Sequence, residues 1–297
     1  MLPERNGIGE MIREVCCEDV VRELGDRVAF GRMLKETYGS RLYQLMGEKE
    51  YVLKQSKSVS LAGEFSNHKY AYDLWSKGDG FGFAIPKPYF LADDESYYVM
   101  EYVKAATGLS DILPKCGAES LAVYERVGSC LKEYHEMVTK DFSGDRIPIG
   151  KHVIIAKLLN RDEGNGVREI LGQFAEDSYR AIFKDFTFSN VVLDADGRIY
   201  FIDFQKIDFF APFYYDLARF IDTFKVFTFV RHPLFYVSNI GLINKTVDSF
   251  IDGYDSGLDK RLLAKMRKVH QQEHILTKDL QKPLHGLILK CLYKVMR

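Results

Sequence analysis

Nowhere in the 297 residues does an uninterrupted apolar run approach the ~18 positions that a membrane-spanning helix requires. Nor does the chain begin like a secreted protein. Its opening, MLPERNGIGEMIREVCCED, carries acids early and has no apolar core of signal-peptide length. Cysteine is scarce and odd in number, five in all, without the spacing of a zinc clip; the adjacent Cys16-Cys17 pair reads as part of a helix. These absences argue against a disulfide framework and describe a reduced, cytoplasmic protein. Internal repeats, low-complexity linkers and a G-x-G-x-x-G phosphate loop are missing too.

An overall excess of either charge is also lacking: 41 Lys and Arg stand against 42 Asp and Glu, a net of −1. The balance hides an asymmetry. From Asp259 to Arg297 ten basic residues face three acids, net +7, which leaves −8 on the remainder. Because the basic residues collect in one terminal segment, direct nucleic-acid binding is disfavoured. What is abundant is aromatic: 21 Phe and 18 Tyr, within an ordinary hydrophobic content of 46%. Length and composition suit one large domain or two lobes sharing a cleft.

Hydrophobic patterning gives the order of elements. Residues 9 to 25 read as a helix stopped by Gly25. Short strands follow at Ala29–Leu34, Leu42–Leu45 and Tyr51–Lys54, a three-strand meander punctuated by Tyr38-Gly39-Ser40 and Gly47-Glu48. Ser58–Ser76 reads as a helix ended by Gly78-Asp79-Gly80. A hairpin from Tyr89 to Tyr102 then leaves toward a second part of the chain, with a natural boundary near residue 103. Beyond it helices are expected at 109–113, 120–138, 149–160, 166–180, 216–229, 240–254, 259–270 and from Leu276 onward.

The stretch from Phe183 to Asp216, FKDFTFSNVVLDADGRIYFIDFQKIDFFAPFYYD, breaks this helical run. It reads as loop, hairpin and loop. Asp196-Gly197 is a strong two-residue hairpin signal between a strand at 191–194 and a return strand at 198–202. The hairpin brings Asp203 beside Asp185 and Asn190, so two carboxylates and an amide meet at its mouth. That oxygen set suits Mg²⁺, which takes few protein ligands. The three residues also fit ordinary turn chemistry at a hairpin.

The spacing D-x4-N followed by D-F resembles the catalytic loop and metal-binding turn of the protein-kinase-like superfamily. With Tyr215-Asp216-Leu217-Ala218 close behind, it is more closely similar to the aminoglycoside phosphotransferase and choline kinase-type small-molecule kinases. The resemblance spans about residues 27 to 225. It implies an α+β, two-lobe fold: an antiparallel-sheet nucleotide lobe over 1–103 and a larger, mainly helical lobe over 104–297 that binds the acceptor. It implies ATP and Mg²⁺ as cofactors and a small-molecule or glycan acceptor, most simply a sugar or amino sugar. Asp185 becomes the group that takes or orients the acceptor hydroxyl's proton; Asn190 and Asp203 become the metal ligands. Lys54, closing the third strand, would neutralise nucleotide phosphate, with Glu64 on the following helix as its partner, although a strand-end lysine also discourages edge pairing. Ser40, beside Gly39, is the one candidate for a phosphate-capping turn. Glu101 and Val103 would offer backbone carbonyl and N–H to the adenine. Asp216 would support the catalytic loop, and His135 reads as a packed structural residue.

Two departures stand out. Phe183 and Lys184 occupy the two positions before Asp185, where the family carries His and one intervening residue, and Gln205 replaces the glycine of D-F-G. Only thirteen positions separate Asp203 from Asp216, too few for the activation segment of a protein kinase, and Thr187 stands where Ser/Thr kinases carry Lys. The acceptor is therefore expected to be small or a glycan. The basic terminal segment from Pro283, with Leu284, Leu287, Ile288, Cys291, Leu292, Val295 and Met296 at helical spacing, is expected to dock on the large lobe or to touch an anionic membrane surface. Alternative readings are a kinase of a lipid-linked or cell-surface glycan and a nucleotide-binding pseudokinase scaffold.

Overall fold

The computed structural model describes residues 18–37, 39–112, 118–141, 147–148, 159, 164–204, 209–281 and 283–295. It divides into two compact units, one of Met1–Ser76 with Ile85–Ala105 and one of Lys77–Ala84 with Ala106–Arg297. The boundary thus falls at residue 105, and residues 77–84, placed by sequence in the first lobe, belong to the second.

Helical residues 18–24 precede strands β1 (Ala29–Glu36), β2 (Ser40–Met46) and β3 (Glu50–Ser56), helix α1 (Ala62–Lys77) and strands β4 (Phe83–Ala84), β5 (Pro88–Leu91) and β6 (Tyr97–Glu101). Next come β7 (Thr107–Gly108), α2 (Leu109–Ile112), α3 (Ala118–Asp141), β8 (Ile147–Pro148), α4 (Gly164–Leu171), β9 (Tyr179–Ala181), β10 (Val191–Leu193), β11 (Ile199–Phe201) and β12 (Phe209–Pro212). The chain closes with α5 (Tyr214–Arg231), α6 (Pro233–Ser238), α7 (Ile240–Asp255), α8 (Lys260–Gln281) and α9 (Pro283–Val295).

The first unit is a five-stranded antiparallel sheet in the order β1-β2-β3-β6-β5. Side chains alternate across a strand, and the sheet uses both faces. Tyr51, Leu53, Tyr97 and Val99 pack with Val20 and Leu45 on one side. Val52, Tyr98 and Met100 pack on the other with Leu61 and Phe65 at the start of α1. Lys54 has the parity of Val52, which points it toward α1. Asp26 fixes the β2–β3 turn by accepting the backbone N–H groups of Glu48 and Lys49, both at 3.3 Å, and the Tyr51 hydroxyl at 3.0 Å.

In the second unit, α3 and α7 cross so closely that a Cβ at Gly128 would stand 2.1 Å from the Phe250 carbonyl oxygen, and one at Gly253 would stand 1.9 Å from that of Glu125. Two small sheets, β4-β11-β10-β7 and β8-β12-β9, flank an aromatic core. There Phe83, Tyr134, Phe183, Phe186, Phe201 and Phe204 pack ring to ring, and Phe220 continues the stack onto Phe250. Buried Asp222 ties α5 to α8, accepting from Arg267 Nε at 2.8 Å, Gln271 Nε2 at 3.1 Å and His270 Nδ1 at 3.1 Å.

Several sequence expectations are corrected. The helix expected over 166–180 stops at Leu171, where Gly172 follows, and Tyr179–Ala181 instead pairs antiparallel with β12. The separate helices at 259–270 and from Leu276 are one continuous α8, because no Gly or Pro interrupts the sequence before Pro283. Asp196-Gly197 is not a two-residue loop. Register pairs Leu193 with Ile199, so five residues connect the strands, with Gly197 at φ +75° and Asp194 Oδ1 accepting from Asp196 and Arg198 N–H at 2.9 Å. Of the helix expected over 9–25, residues 18–24 are helical and 9–17 lie outside the described residues; so do the helix expected over 149–160, except residue 159, and Gln205. Among the described positions of α9, Gly286, Leu289 and Tyr293 are buried, whereas Ile288 and Cys291 of the expected stripe are exposed.

Candidate active site

In the sheet unit, register places Lys54 directly opposite Tyr98 on β6. The Lys54 ammonium lies 2.6 Å from Glu64 Oε1, which projects from the first turn of α1, and the Tyr98 hydroxyl donates to that same oxygen at 2.8 Å. The lysine and glutamate side chains are 9% and 12% exposed, so this ion pair is far drier than a surface one. Ser40, at the start of β2, donates its backbone N–H to Thr37 Oγ1 at 3.0 Å. Glu101 ends β6; its backbone N–H donates to the Lys87 carbonyl at 2.8 Å, and its carboxylate accepts the Lys87 N–H at 3.0 Å. Val103 follows, half-buried, outside any strand.

In the helical unit, the loop carrying Asp185 hangs from one buried carboxylate. Asp216, on the first turn of α5 and fully buried, accepts the backbone N–H groups of Phe183 at 2.6 Å and Lys184 at 2.9 Å. Its third partner is His135 Nε2 at 3.0 Å, and His135 Nδ1 lies 2.9 Å from the Tyr254 hydroxyl. Since a carboxylate only accepts, Nε2 carries the proton. His135 is thus a buried link between α3, α5 and α7. The Asp185 N–H bonds to the Phe183 carbonyl at 2.8 Å, closing a γ-turn on Lys184 at φ +66°. A non-glycine residue held there costs about 1–3 kcal/mol, a cost typical of functional loops.

Phe183 is completely buried against Tyr134, Phe186 and Phe204, so the aromatic core absorbs the departure from His. Asn190 is buried at the end of a short 3-10 turn, and its Nδ2 donates to the Asp185 carbonyl at 3.0 Å. Its backbone carbonyl accepts from Ile202 N–H at 3.0 Å, which ties the loop to the segment leading into Asp203. Asp203 is half-buried with φ +69°. Asp185, Asn190 and Asp203 are therefore braced by a common framework, with two of the three loop residues between 183 and 185 pinned by Asp216.

Residues 32–236, more than two thirds of the chain, match the sequence model of the phosphotransferase enzyme family, APH. The chain belongs to that family. Solved structures agree in fold. A putative fructosamine-3-kinase from Thermobifida fusca is 15% identical with a TM-score of 0.57, covering 94% of this chain and 95% of that one. The ethanolamine kinase of Plasmodium vivax is 16% identical with a TM-score of 0.58, covering 100% and 86%. A glucosamine kinase solved with glucosamine, ADP and inorganic phosphate is 14% identical with a TM-score of 0.58, covering 96% and 84%. Among curated protein sequences none matches.

Two partners of the candidate side chains, one in each unit, are not apparent from the sequence. Tyr98 is one of adjacent tyrosines, and only strand register tells which of the two faces Glu64. The other is Arg219. Its Nη2 donates to Asp185 Oδ1, and both side chains are about a quarter exposed, 25% and 24%. Burial disfavours the guanidinium charge, yet Asp185, Tyr215 and Glu273 outweigh it and hold the Arg219 pKa above its usual value. The only sequence signal is position: Arg219 follows Asp216 by three, on the same face of α5. Among the described residues no helix is long and apolar enough to cross a membrane.

Proposed function

We propose that the chain transfers the γ-phosphate of ATP, with Mg²⁺, to a hydroxyl of a small molecule, a sugar or amino sugar. The observation that carries this reading is the loop held by Asp216, which carries Asp185 and is tied through Asn190 to the segment leading into Asp203. Phosphoryl transfer asks a protein for alignment and charge neutralisation more than for covalent chemistry. Asp185 would hold and finally accept the acceptor hydroxyl's proton. Asn190 spends its Nδ2 on the Asp185 carbonyl, which leaves its amide oxygen for a hard cation; with the Asp203 carboxylate it makes the oxygen-only set that Mg²⁺ prefers. Held there, the ion would neutralise phosphate charge. Lys54, held by Glu64 and Tyr98, would neutralise the nucleotide phosphates, and the backbone at Glu101 and Val103 would meet the base.

The glucosamine kinase of similar fold, bound to glucosamine and ADP, supports an amino sugar or sugar as first choice. A panel of sugars, amino sugars and aminoglycosides, assayed for ADP release with ATP and Mg²⁺, tests the reading. Turnover should appear with one class, disappear with EDTA and disappear in Asp185→Asn. ATP binding without turnover across the panel would favour a nucleotide-binding scaffold instead.

One feature favours a second reading, a lipid-linked or surface-glycan acceptor. Val230, Leu234, Val237 and Ile240 leave an exposed apolar cluster around α6, with Leu234 84% exposed, and α9 turns Ile288 and Lys294 outward. Peripheral attachment to an anionic membrane would follow from such surfaces. Co-sedimentation with phosphatidylserine vesicles would support it, and recovery of all protein in the supernatant would remove it.

A further inference from the structure

We propose that Arg219 is a positioning residue that sets the orientation of the Asp185 carboxylate and weakens that carboxylate's pull on an ammonium group beside the acceptor's reactive hydroxyl. The inference rests on the reading of Asp185 as the group that receives the acceptor's proton. One face of α5 reaches the loop twice. Asp216 takes the backbone N–H groups of Phe183 and Lys184, and Arg219, three residues on, takes the side chain of the next residue, Asp185. The backbone of the loop and the direction of its functional carboxylate are therefore fixed from a single helix.

A contact from Nη2 to Oδ1 alone removes the rotational freedom of the carboxylate and leaves Oδ2 as the oxygen that faces the hydroxyl. The guanidinium is itself backed by fixed groups. Tyr215, one turn earlier on α5, donates its hydroxyl to buried Glu273 of α8, and both contribute to holding the Arg219 charge. A charge so held does not swing away when an acceptor arrives. With a cation already on one oxygen, Asp185 draws an ammonium to the other far less than a bare carboxylate would, whereas a neutral hydroxyl loses nothing.

The experiment compares wild type, Arg219→Lys, Arg219→Gln and Arg219→Ala with the acceptor found by the panel and its amine-for-hydroxyl or hydroxyl-for-amine counterpart. Nucleotide KM and melting temperature are measured in parallel. The expected result in Arg219→Gln is a kcat lower by about tenfold or more with nucleotide KM little changed, since the lost contact serves the transition state. Arg219→Lys should recover part of kcat, and added guanidinium ion should restore part of the activity of Arg219→Ala. The ratio of kcat/KM for the amine-bearing over the hydroxyl-bearing acceptor should rise by about tenfold in Arg219→Gln.

Wild-type turnover with an unchanged kcat and acceptor ratio in Arg219→Gln overturns this inference alone. So does a loss of kcat that only follows a loss of melting temperature, with no rescue by lysine or guanidinium. Absence of wild-type turnover with every acceptor overturns the phosphotransfer reading of Asp185 and this inference with it.

Discussion

The hydroxyl of Tyr98 and the ammonium of Lys54 meet on one oxygen of Glu64, at 2.8 and 2.6 Å. The three groups come from adjacent strands and the facing helix, and the alternation of side chains along β3 and β6 puts them on one side of the sheet. A lysine in so dry a setting depends on its carboxylate, and the carboxylate on its neutral donor.

Replacing Tyr98 with Phe keeps the ring against Phe65 and His68 and removes only the donor. A hydrogen bond to a charged group contributes about 1.5–3 kcal/mol, so the nucleotide KM should rise by about tenfold. The acceptor KM should stay near wild type. Lys54→Met should do more, raising nucleotide KM and lowering kcat together. Initial-rate kinetics at varied ATP separate these outcomes; an unchanged nucleotide KM in Tyr98→Phe would show that the pair needs no third partner.

Legibility followed sequence separation and parity. The β1–β3 meander and the β5–β6 hairpin were readable because their turns and alternations are local. The loop at Asp185 was readable because Asn190 follows it closely and Asp203 arrives by a short hairpin. The β8-β12-β9 sheet was not. Its strands run only two to four residues, and β8 and β12 pair in parallel across about sixty intervening positions, beyond any local pattern. Arg219 was hidden for a related reason. Its partner lies thirty-four residues away, and only the folded helix shows that it shares a face with Asp216.

Asp216→Asn tests the pinning of the loop. Asparagine has the same size but a single acceptor oxygen, so Phe183 N–H, Lys184 N–H and His135 cannot all keep their partner. An unsatisfied buried donor costs about 1–3 kcal/mol, and the γ-turn at Lys184 loses its brace. Both kcat and melting temperature should fall. Asp185→Asn, at a half-buried side chain, should abolish turnover with little change in melting temperature.

Gly128→Ala and Gly253→Ala reverse what helix propensity predicts. Alanine in a helix is favoured over glycine by about 1 kcal/mol, but here the new methyl would overlap a carbonyl oxygen of the facing helix. Overpacking of this kind costs about 1–3 kcal/mol or more, and backbone cannot move aside as a flexible side chain would. Each variant should be destabilised in urea. Separation of α3 from α7 should also stretch the His135–Tyr254 contact and lower activity. Stabilised variants would mean that the two helices slide apart without cost.

The last prediction concerns pH. His274, half-buried, pairs its Nδ1 with the Tyr293 hydroxyl at 2.7 Å and joins α8 to α9. Burial, with His270, Arg219 and Lys278 nearby, pushes its pKa down to about 3. An unfolded histidine titrates near 6.5, so as pH falls below that value the unfolded chain takes up a proton that the folded one refuses. The stability this group contributes is therefore complete above about pH 6.5 and is lost progressively toward pH 3, at about 1.4 kcal/mol per unit. At pH 5 the loss amounts to about 2 kcal/mol. Asp222, whose pKa is lowered even though burial, the largest influence, raises it, acts in a different window: the bonds from His270 and Arg267 keep it ionised, and its contribution fades only below the ordinary carboxylate range. Urea denaturation at pH 7 and pH 5 should accordingly show a larger drop for wild type than for His274→Gln, by about 2 kcal/mol. Equal drops would mean that His274 accepts its proton as readily in the folded protein as in the unfolded chain.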